Sequence, residues 1–435
     1  ITNPGLLTID GIPKVYLNGN NTMIDIRGKV DIKNNSTFSF FYPNNSTTHG
    51  YIKFANTSLF PSRNITAGSN SNINLTGSSQ NKKVLQIDQE TFYAPPSIAN
   101  FTISRGKVEL ASGARLQADG LSTNINFDNA KFTSTTPGVN NGHRGVHLYG
   151  QPNITIDNCI FEYGRYGIYA FLTYGPTPSL NILNSVFRNN TWGILAYDKG
   201  CNLSNCYFFG NEYGFIGGNM SFNSTSMNSV FSGNTMAAYW HSYSTASFTL
   251  DNPYINNNST GVKVHAAPLT VKCGSISYNN SGIVLRYGAT LTMDDNVTTQ
   301  PAADVTAIGN NYTIQTWRAS YLYLNNGYND LTPSGIHNQS VISGTLLSGG
   351  PFPIIANANK WNNSGSFGAG DYLLHDLNGN NITISDLNPL SSIIACGQAI
   401  PPCPNPPCNY LKDALEYCPA CDVINTVDFV NKKLN

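Results

Sequence analysis

The chain has 435 residues and a mass of 47.1 kDa, room for two or three ordinary domains or for one long repetitive one. Its 24 Lys+Arg balance 24 Asp+Glu, and only 11% of residues are charged, so no basic stripe exists to neutralise phosphates and nucleic-acid binding is excluded as a main activity. A hydrophobic share of 40% excludes a disordered chain, and no apolar run is long enough to span a bilayer.

Asparagine occurs 59 times and glycine 39 times, the composition of strands and turns in which amides and hydroxyls supply solubility. The 22 N-x-S/T sequons read either as glycosylation acceptors or as a by-product of turns spelled NNST. The first residue is Ile1 rather than Met and no signal peptide is visible, so a processed product or a fragment is expected.

Residues 1–120 carry short apolar runs with loose spacing, such as MIDIRGKVDI, FSFFY and KVELASGARLQADG. They are read as N-terminal coils and a cap on a repeat that occupies residues 121–310. In that repeat the segments NFDNAKF, TIDNCIF, NILNSVF, NLSNCYF, STSMNSVF and FTLDNPYI align on Asn129, Asn158, Asn184, Asn205, Asn228 and Asn252, and the column continues to Cys273 and Asp295.

Two and four residues before each column member lie mostly apolar positions, such as Phe127 and Ile125 or Ile156 and Ile154. Three after lies Phe132, Phe161, Phe187, Phe208, Phe231, Ile255 or Ile276. This is period-two alternation, with one face buried. Ten after the column stands a third apolar rank, Ile168, Ile194, Phe215, Ala238, Val262 and Ile283, mostly preceded by Gly. Three short strands in a unit of about 22 residues, with no helix, predict an all-β fold, one coil of a right-handed parallel β-helix per unit. The Asn column is expected to stack amide on amide inside a turn. Cys159 and Cys206 stand two coils apart, roughly 10 Å, too far to bridge, and read as buried small hydrophobes.

The repeat over about residues 120–310 resembles the pectin-lyase-like β-helix repeat proteins, and its Asn-rich style is similar to secreted members exported by Bacteroidota. The resemblance implies a fold and says little of function, because this fold hosts lyases, hydrolases, adhesins and phage fibres. Related galacturonan hydrolases use motifs of the type N-T-D, D-D, G-H-G and R-I-K. Here Asp294-Asp295 supplies a D-D and Gly142-His143-Arg144 only half of a G-H-G, about six rungs away, so the chain departs from that pattern. The Arg-rich and W-x-D-H patterns of the related pectate lyases are missing too.

Residues 311–395 read as wider, less regular coils. Residues 396–435 open on the rigid PPCPNPPC and continue with NYLKDALEYC, where Leu411/Leu415 and Lys412/Glu416 stand at helical spacing. A small Cys-rich tail with a short helix is expected. Cys396, Cys403, Cys408, Cys418 and Cys421 are candidate disulfide partners, with a zinc knot of the last four as the alternative.

Chemistry has few candidates. Asp128 and Asp157 face outward on adjacent coils and would hold Ca²⁺, share a proton, or stand as a solvated pair. His143 and His147, in an insertion with Arg144 and near Tyr149, make either a sugar-binding or catalytic cluster or an ordinary surface loop. No resident cofactor is expected.

The outward faces say more. The first strand presents Asn126, Thr155, Asn181, Asn202, Thr225, Thr249, Thr270 and Thr292, a solvated polar face. The second presents Ile160, Val186, Tyr207, Val230 and Tyr254. The third presents Tyr169, Leu195, Ile216 and Tyr239, then Phe171, Tyr197, His241, His265 and Arg286. Apolar columns where water is expected imply a cover: the chain's own loops, another copy, or a glycan stacked on the rank Tyr149–Phe171–Tyr197. These features predict a secreted structural or adhesive β-helix that associates with copies of itself, at a cell surface or as a fibre. The alternatives are a lyase or hydrolase of acidic glycans and a carbohydrate-binding module.

Overall fold

A computed structural model describes residues 65–88, 91–120, 124–150, 153–171, 180–198, 200–218, 222–242 and 245–293. It also describes short stretches before (6–10, 14–15, 23–26, 29–41, 51–54) and after (305–307, 309–310, 312–317, 321–324, 331, 342–346, 354–356, 373–376, 384–386). The described residues form strands and turns without a helix, wound as a right-handed parallel β-solenoid. The five tail cysteines, the expected tail helix and Asp294-Asp295 lie outside the described residues.

The chain forms two compact units, Ile1–Lys199 and Gly200–Asn435. In the first, the coils from Thr91 onward contribute a strand to each of three parallel sheets, and Leu6–Ile9, Lys29–Ile32 and Ile65–Ala67 form a separate three-stranded one. Asn124–Asp128, Lys131–Ser134 and Gly145–Gly150 make one coil; Asn153–Asp157, Ile160–Glu162 and Tyr166–Phe171 make the next. Register is in step: Ile125 faces Ile154, Phe132 faces Phe161, and Val146 faces Ile168. The second unit repeats the plan, with Ser224–Met227, Val230–Ser232 and Met236–His241 followed by Phe248–Asp251, Tyr254–Asn256 and Thr260–His265.

The interior is filled by the three apolar ranks read from the sequence. Phe132, Phe161 and Phe187 stack with ring centroids 4.8 and 4.9 Å apart and planes within 4°. In the second unit Phe208 and Phe231 stack at 4.5 Å. The period of the coil thus sets the period of the core, since each ring sits one strand spacing above the last. Glycine precedes the third rank because the coils touch there: a Cβ on Gly261 would run into the carbonyl oxygen of Gly282 on the next coil.

The Asn column marks the turn between the first and second sheets, with a physical role different from the expected buried ladder. Asn129, Asn158, Asn184, Asn205, Asn228 and Asn252 all take left-handed φ of 47–52°, a conformation asparagine tolerates far better than other side chains with a Cβ. These residues are half-buried, and their backbone N–H groups bond the next coil, as from Asn228 to Asp251 at 2.9 Å. A side-chain rung of the expected kind joins Asn252 Nδ2 to Asn228 Oδ1 at 2.8 Å.

The fully buried ladder lies six residues further on, between the second and third sheets. In the second unit Asn211, Asn234, Asn258, Asn279 and Asn310 are all buried. Asn234 Oδ1 accepts from both the backbone N–H and the Nδ2 of Asn211, each at 3.0 Å, and Asn258 Oδ1 does the same for Asn234 at 2.9 and 3.1 Å. Asn234, Asn258, Asn279 and Asn310 also donate from Nδ2 back to the coil before, as Asn258 does to the Phe231 carbonyl at 3.1 Å. In the first unit Asn190 accepts from the Gly164 N–H and donates to the Phe161 carbonyl, both at 3.0 Å. Cys159, Cys201 and Cys206 are buried thiols, packed as the small hydrophobes expected of the first and last.

Candidate functional site

The outward apolar positions of the second sheet at Ile160, Val186, Tyr207 and Val230 are closed to water, each at most 5% exposed in the single chain. Four of the five residues of the expected apolar stripe are therefore covered by the chain itself and offer a second copy nothing exposed, while Tyr254 remains partly open. The same face buries charge. Glu162 forms ion pairs with Lys131 at 2.7 Å and with Arg188, and accepts from the Thr133 hydroxyl at 2.8 Å. Burial opposes the ionised carboxylate, but the two cations win and hold Glu162 below the usual range.

His143 and His147 are likewise buried rather than carried on a surface loop. His143 Nδ1 accepts the N–H of Gly145 at 3.1 Å, which leaves the proton on Nε2, 3.1 Å from the Glu162 carbonyl. Burial brings its pKa down to about 4. A neutral imidazole bonded at both nitrogens to backbone is a structural plug, not an acid or base.

The carboxylate pair is real as a pair. Asp128 and Asp157 are register partners, and burial followed by the Asp157 charge raises the Asp128 carboxyl, against the pull of Arg105. Asp157 is held by Asn184 Nδ2 at 2.8 Å. Among the described residues no three His, Cys, Asp or Glu side chains group to hold a metal ion. Both carboxylates close first-sheet strands, whereas His147 lies on a third-sheet strand, so the residues named for hydrolysis stand on different sides of the coil.

The third sheet of the first unit carries the site with the most chemistry. Period-two alternation turns His147 and Tyr149 outward. Direct register continues these columns: His147 to Tyr169 to Leu195, and Tyr149 to Phe171 to Tyr197. Three residues before Tyr169 and Leu195, Tyr166 pairs with Trp192, their rings stacked at 4.9 Å and 16°. The Arg165 guanidinium lies over both at 5.4 and 5.3 Å.

Tyr166 and Trp192 were missed by the outward columns read from sequence, although each immediately precedes the glycine that opens a third-rank strand. Leu195 is buried, Tyr149, Tyr169 and Tyr197 are half-buried, and Phe171 is 37% exposed. The wall ends on the preceding coil in polar groups, where Gln117 donates to Asp119 at 2.9 Å and Arg115 to the Thr91 hydroxyl at 2.9 Å.

His147 is the floor of this wall. Its ring lies 4.9 Å from that of Tyr169 and 5.6 Å from that of Tyr166, and its Nδ1 is 3.1 Å from the Tyr149 hydroxyl. Its buried Nε2 has no hydrogen-bond partner among the described residues. Burial, followed by the Arg115 charge, brings its pKa down to about 4. Burial also raises the phenols of Tyr149 and Tyr169, which stay protonated donors at neutral pH. In the second unit the corresponding face presents Ile216, Tyr239, His241, His265 and Arg286, half-buried.

A family model described as the right-handed β-helix region matches residues 111–235, rather more than a quarter of the chain. Curated proteins and solved structures give no match. The likeness concerns the coil architecture and names no ligand or reaction.

Proposed function

We propose that this β-helix is a non-catalytic glycan-binding protein that receives a neutral sugar chain on the third-sheet face of residues 1–199. The observation that carries this reading is the rank Tyr149–Phe171–Tyr197, three outward aromatic side chains in direct register on consecutive coils. Sugars offer apolar C–H faces to aromatic rings and hydroxyls to phenols and amides, and this wall supplies both kinds of group within one surface. Coils repeat at about 4.8 Å, so a chain laid along the axis meets a fresh ring at each rung. A glycan ligand goes with an extracellular setting, and an adhesive role at a polysaccharide-coated surface follows from the same chemistry.

The test is a screen of wild type against immobilised neutral and acidic polysaccharides, repeated with Tyr197→Ala and Phe171→Ala. Retention of a neutral glycan that both variants lose, with far-UV spectra unchanged, supports the reading. No retained glycan, or equal retention by both variants, overturns it. Release of reducing ends or unsaturated products that disappears in Asp157→Asn would replace it with the lyase or hydrolase reading.

A further inference from the structure

The entry edge of the third sheet in residues 1–199 gathers three guanidiniums. Arg115 opens the strand Arg115–Gly120, and Arg144 and Arg165 immediately precede Gly145–Gly150 and Tyr166–Phe171 on the next two coils. Backbone bonds hold them one coil above another: the Arg144 N–H donates to the Ala114 carbonyl and the Arg165 N–H to the His143 carbonyl, each at 2.7 Å. Arg144 and Arg165 are exposed, and Arg115 is half-buried.

None of the three forms an ion pair among the described residues. Arg115 donates from Nε to the Thr91 hydroxyl at 2.9 Å, and Arg165 lies over the Tyr166 and Trp192 rings. Elsewhere in this unit cations meet carboxylates, as Lys53 meets Asp88, Lys107 meets Glu109, and Lys131 and Arg188 meet Glu162. Asp119, on the same strand as Arg115, stands four residues further on, about 13 Å away along the strand, and takes its bond from Gln117. After burial, the charges of Arg115 and Arg144 both work against a proton on His147, so both guanidiniums act at that buried ring. In a chain of zero net charge this edge is a local positive field.

We propose that this edge is a phosphate site and that its ligand is a phosphomonoester carried on a sugar. The chain itself sets the scale, since one carboxylate, Glu162, is shared by two cations. Three guanidiniums match a group with more oxygens and more charge, and a phosphomonoester brings three acceptor oxygens and about two negative charges at neutral pH. Planar guanidinium forks take phosphate oxygens in pairs, and arginines set one strand spacing apart, about 4.8 Å, converge on one group through their long side chains. Nucleic acid is disfavoured because three cations fall short of the roughly six to ten phosphate contacts of typical binders.

A sugar is the carrier because the edge adjoins the aromatic wall. Tyr166, beside Arg165, packs on Tyr169 at 5.4 Å, and Tyr169 offers a ring face together with a phenol that burial keeps protonated. The choice of carrier rests on the glycan reading of this wall, whereas the phosphate site does not.

The test is calorimetric titration of the full chain with glucose-6-phosphate, inorganic phosphate, phosphoserine, glucuronate and glucose. Glucose-6-phosphate should bind best, phosphoserine and inorganic phosphate about fivefold more weakly, and glucuronate and glucose at least about tenfold more weakly, with the phosphate affinities falling as salt rises. Arg115→Gln with Arg144→Gln should cost about tenfold or more with the far-UV spectrum unchanged, and Arg165→Lys, which keeps the charge but not the fork, about threefold. Tyr197→Ala should leave the affinity for inorganic phosphate unchanged, so a failure of the aromatic rank and a failure of the phosphate site are told apart. No binding of any phosphate, equal binding of glucuronate, or an unchanged affinity in the Arg115/Arg144 variant overturns the phosphate site. Equal binding of phosphoserine and glucose-6-phosphate overturns the sugar carrier.

Discussion

His143 fills the space that a side chain on Gly164 would take: a Cβ built there would clash with the imidazole, its nearest ring atoms only 2.3–2.8 Å away. Six residues after the Asn column the next coil has Asn190, but this one has Gly164, and the histidine reaches in from another part of the coil. It bonds the Glu162 carbonyl much as Asn190 bonds the Phe161 carbonyl. The buried amide rung is thus replaced by an imidazole, and that imidazole must be neutral.

A pH dependence of stability is the consequence. His143 and His147 both have folded-state pKa values of about 4 against an unfolded value near 6.5. The unfolded chain therefore binds more protons between those limits, so their stabilising contribution is complete above pH 6.5 and is lost as pH falls towards 4. Each histidine accounts for about 3 kcal/mol over that window. Urea midpoints between pH 7.5 and 4 should fall, and His143→Asn, which retains an amide in the rung, should flatten part of that slope.

The two Asn columns should respond differently to mutation. Asn234→Ala removes the acceptor of Asn211 and the donors to Asn258 and the Phe208 carbonyl inside a buried site. A loss of about 3 kcal/mol is expected. Asn228→Gly keeps the left-handed φ of 48° without a Cβ and loses mainly the rung from Asn252, so it should stay within about 1 kcal/mol of wild type. Denaturant titration of both variants checks the contrast.

Glu162→Gln should destabilise by about 3 kcal/mol or more, because it removes the carboxylate shared by Lys131 and Arg188 in a buried place. Burial already lowers the Lys131 pKa. The penalty should therefore shrink as pH rises and Lys131 sheds its proton more easily. Measuring the stability difference at neutral and alkaline pH tests both parts.

The coil was legible in the sequence because its period is carried by side chains that must point inward, such as Phe161, Phe187 and Ile194. The buried ladder is spelled in the sequence too, since Asn190, Asn211, Asn234, Asn258 and Asn279 each stand six residues after a column member, but amide chemistry alone does not distinguish them from the more regular column at Asn158, whose residues are left-handed and only half-buried. What alternation alone does not tell is whether an outward face meets water. Ile160 and Val186 point outward and are covered; Phe171 points outward and is open. The wall around His147 depends on Tyr166 and Trp192, whose place at the mouth of a strand is fixed by the approach of glycine to the neighbouring coil.

The most direct measurement is the calorimetric affinity of wild type and of Tyr197→Ala for the neutral polysaccharide that the screen retains best, with Thr155→Ala on the polar first-sheet face as control. The account predicts that Tyr197→Ala weakens binding at least about tenfold and that Thr155→Ala leaves it unchanged. Equal affinity in wild type and Tyr197→Ala, or an equal loss in both variants, would contradict it.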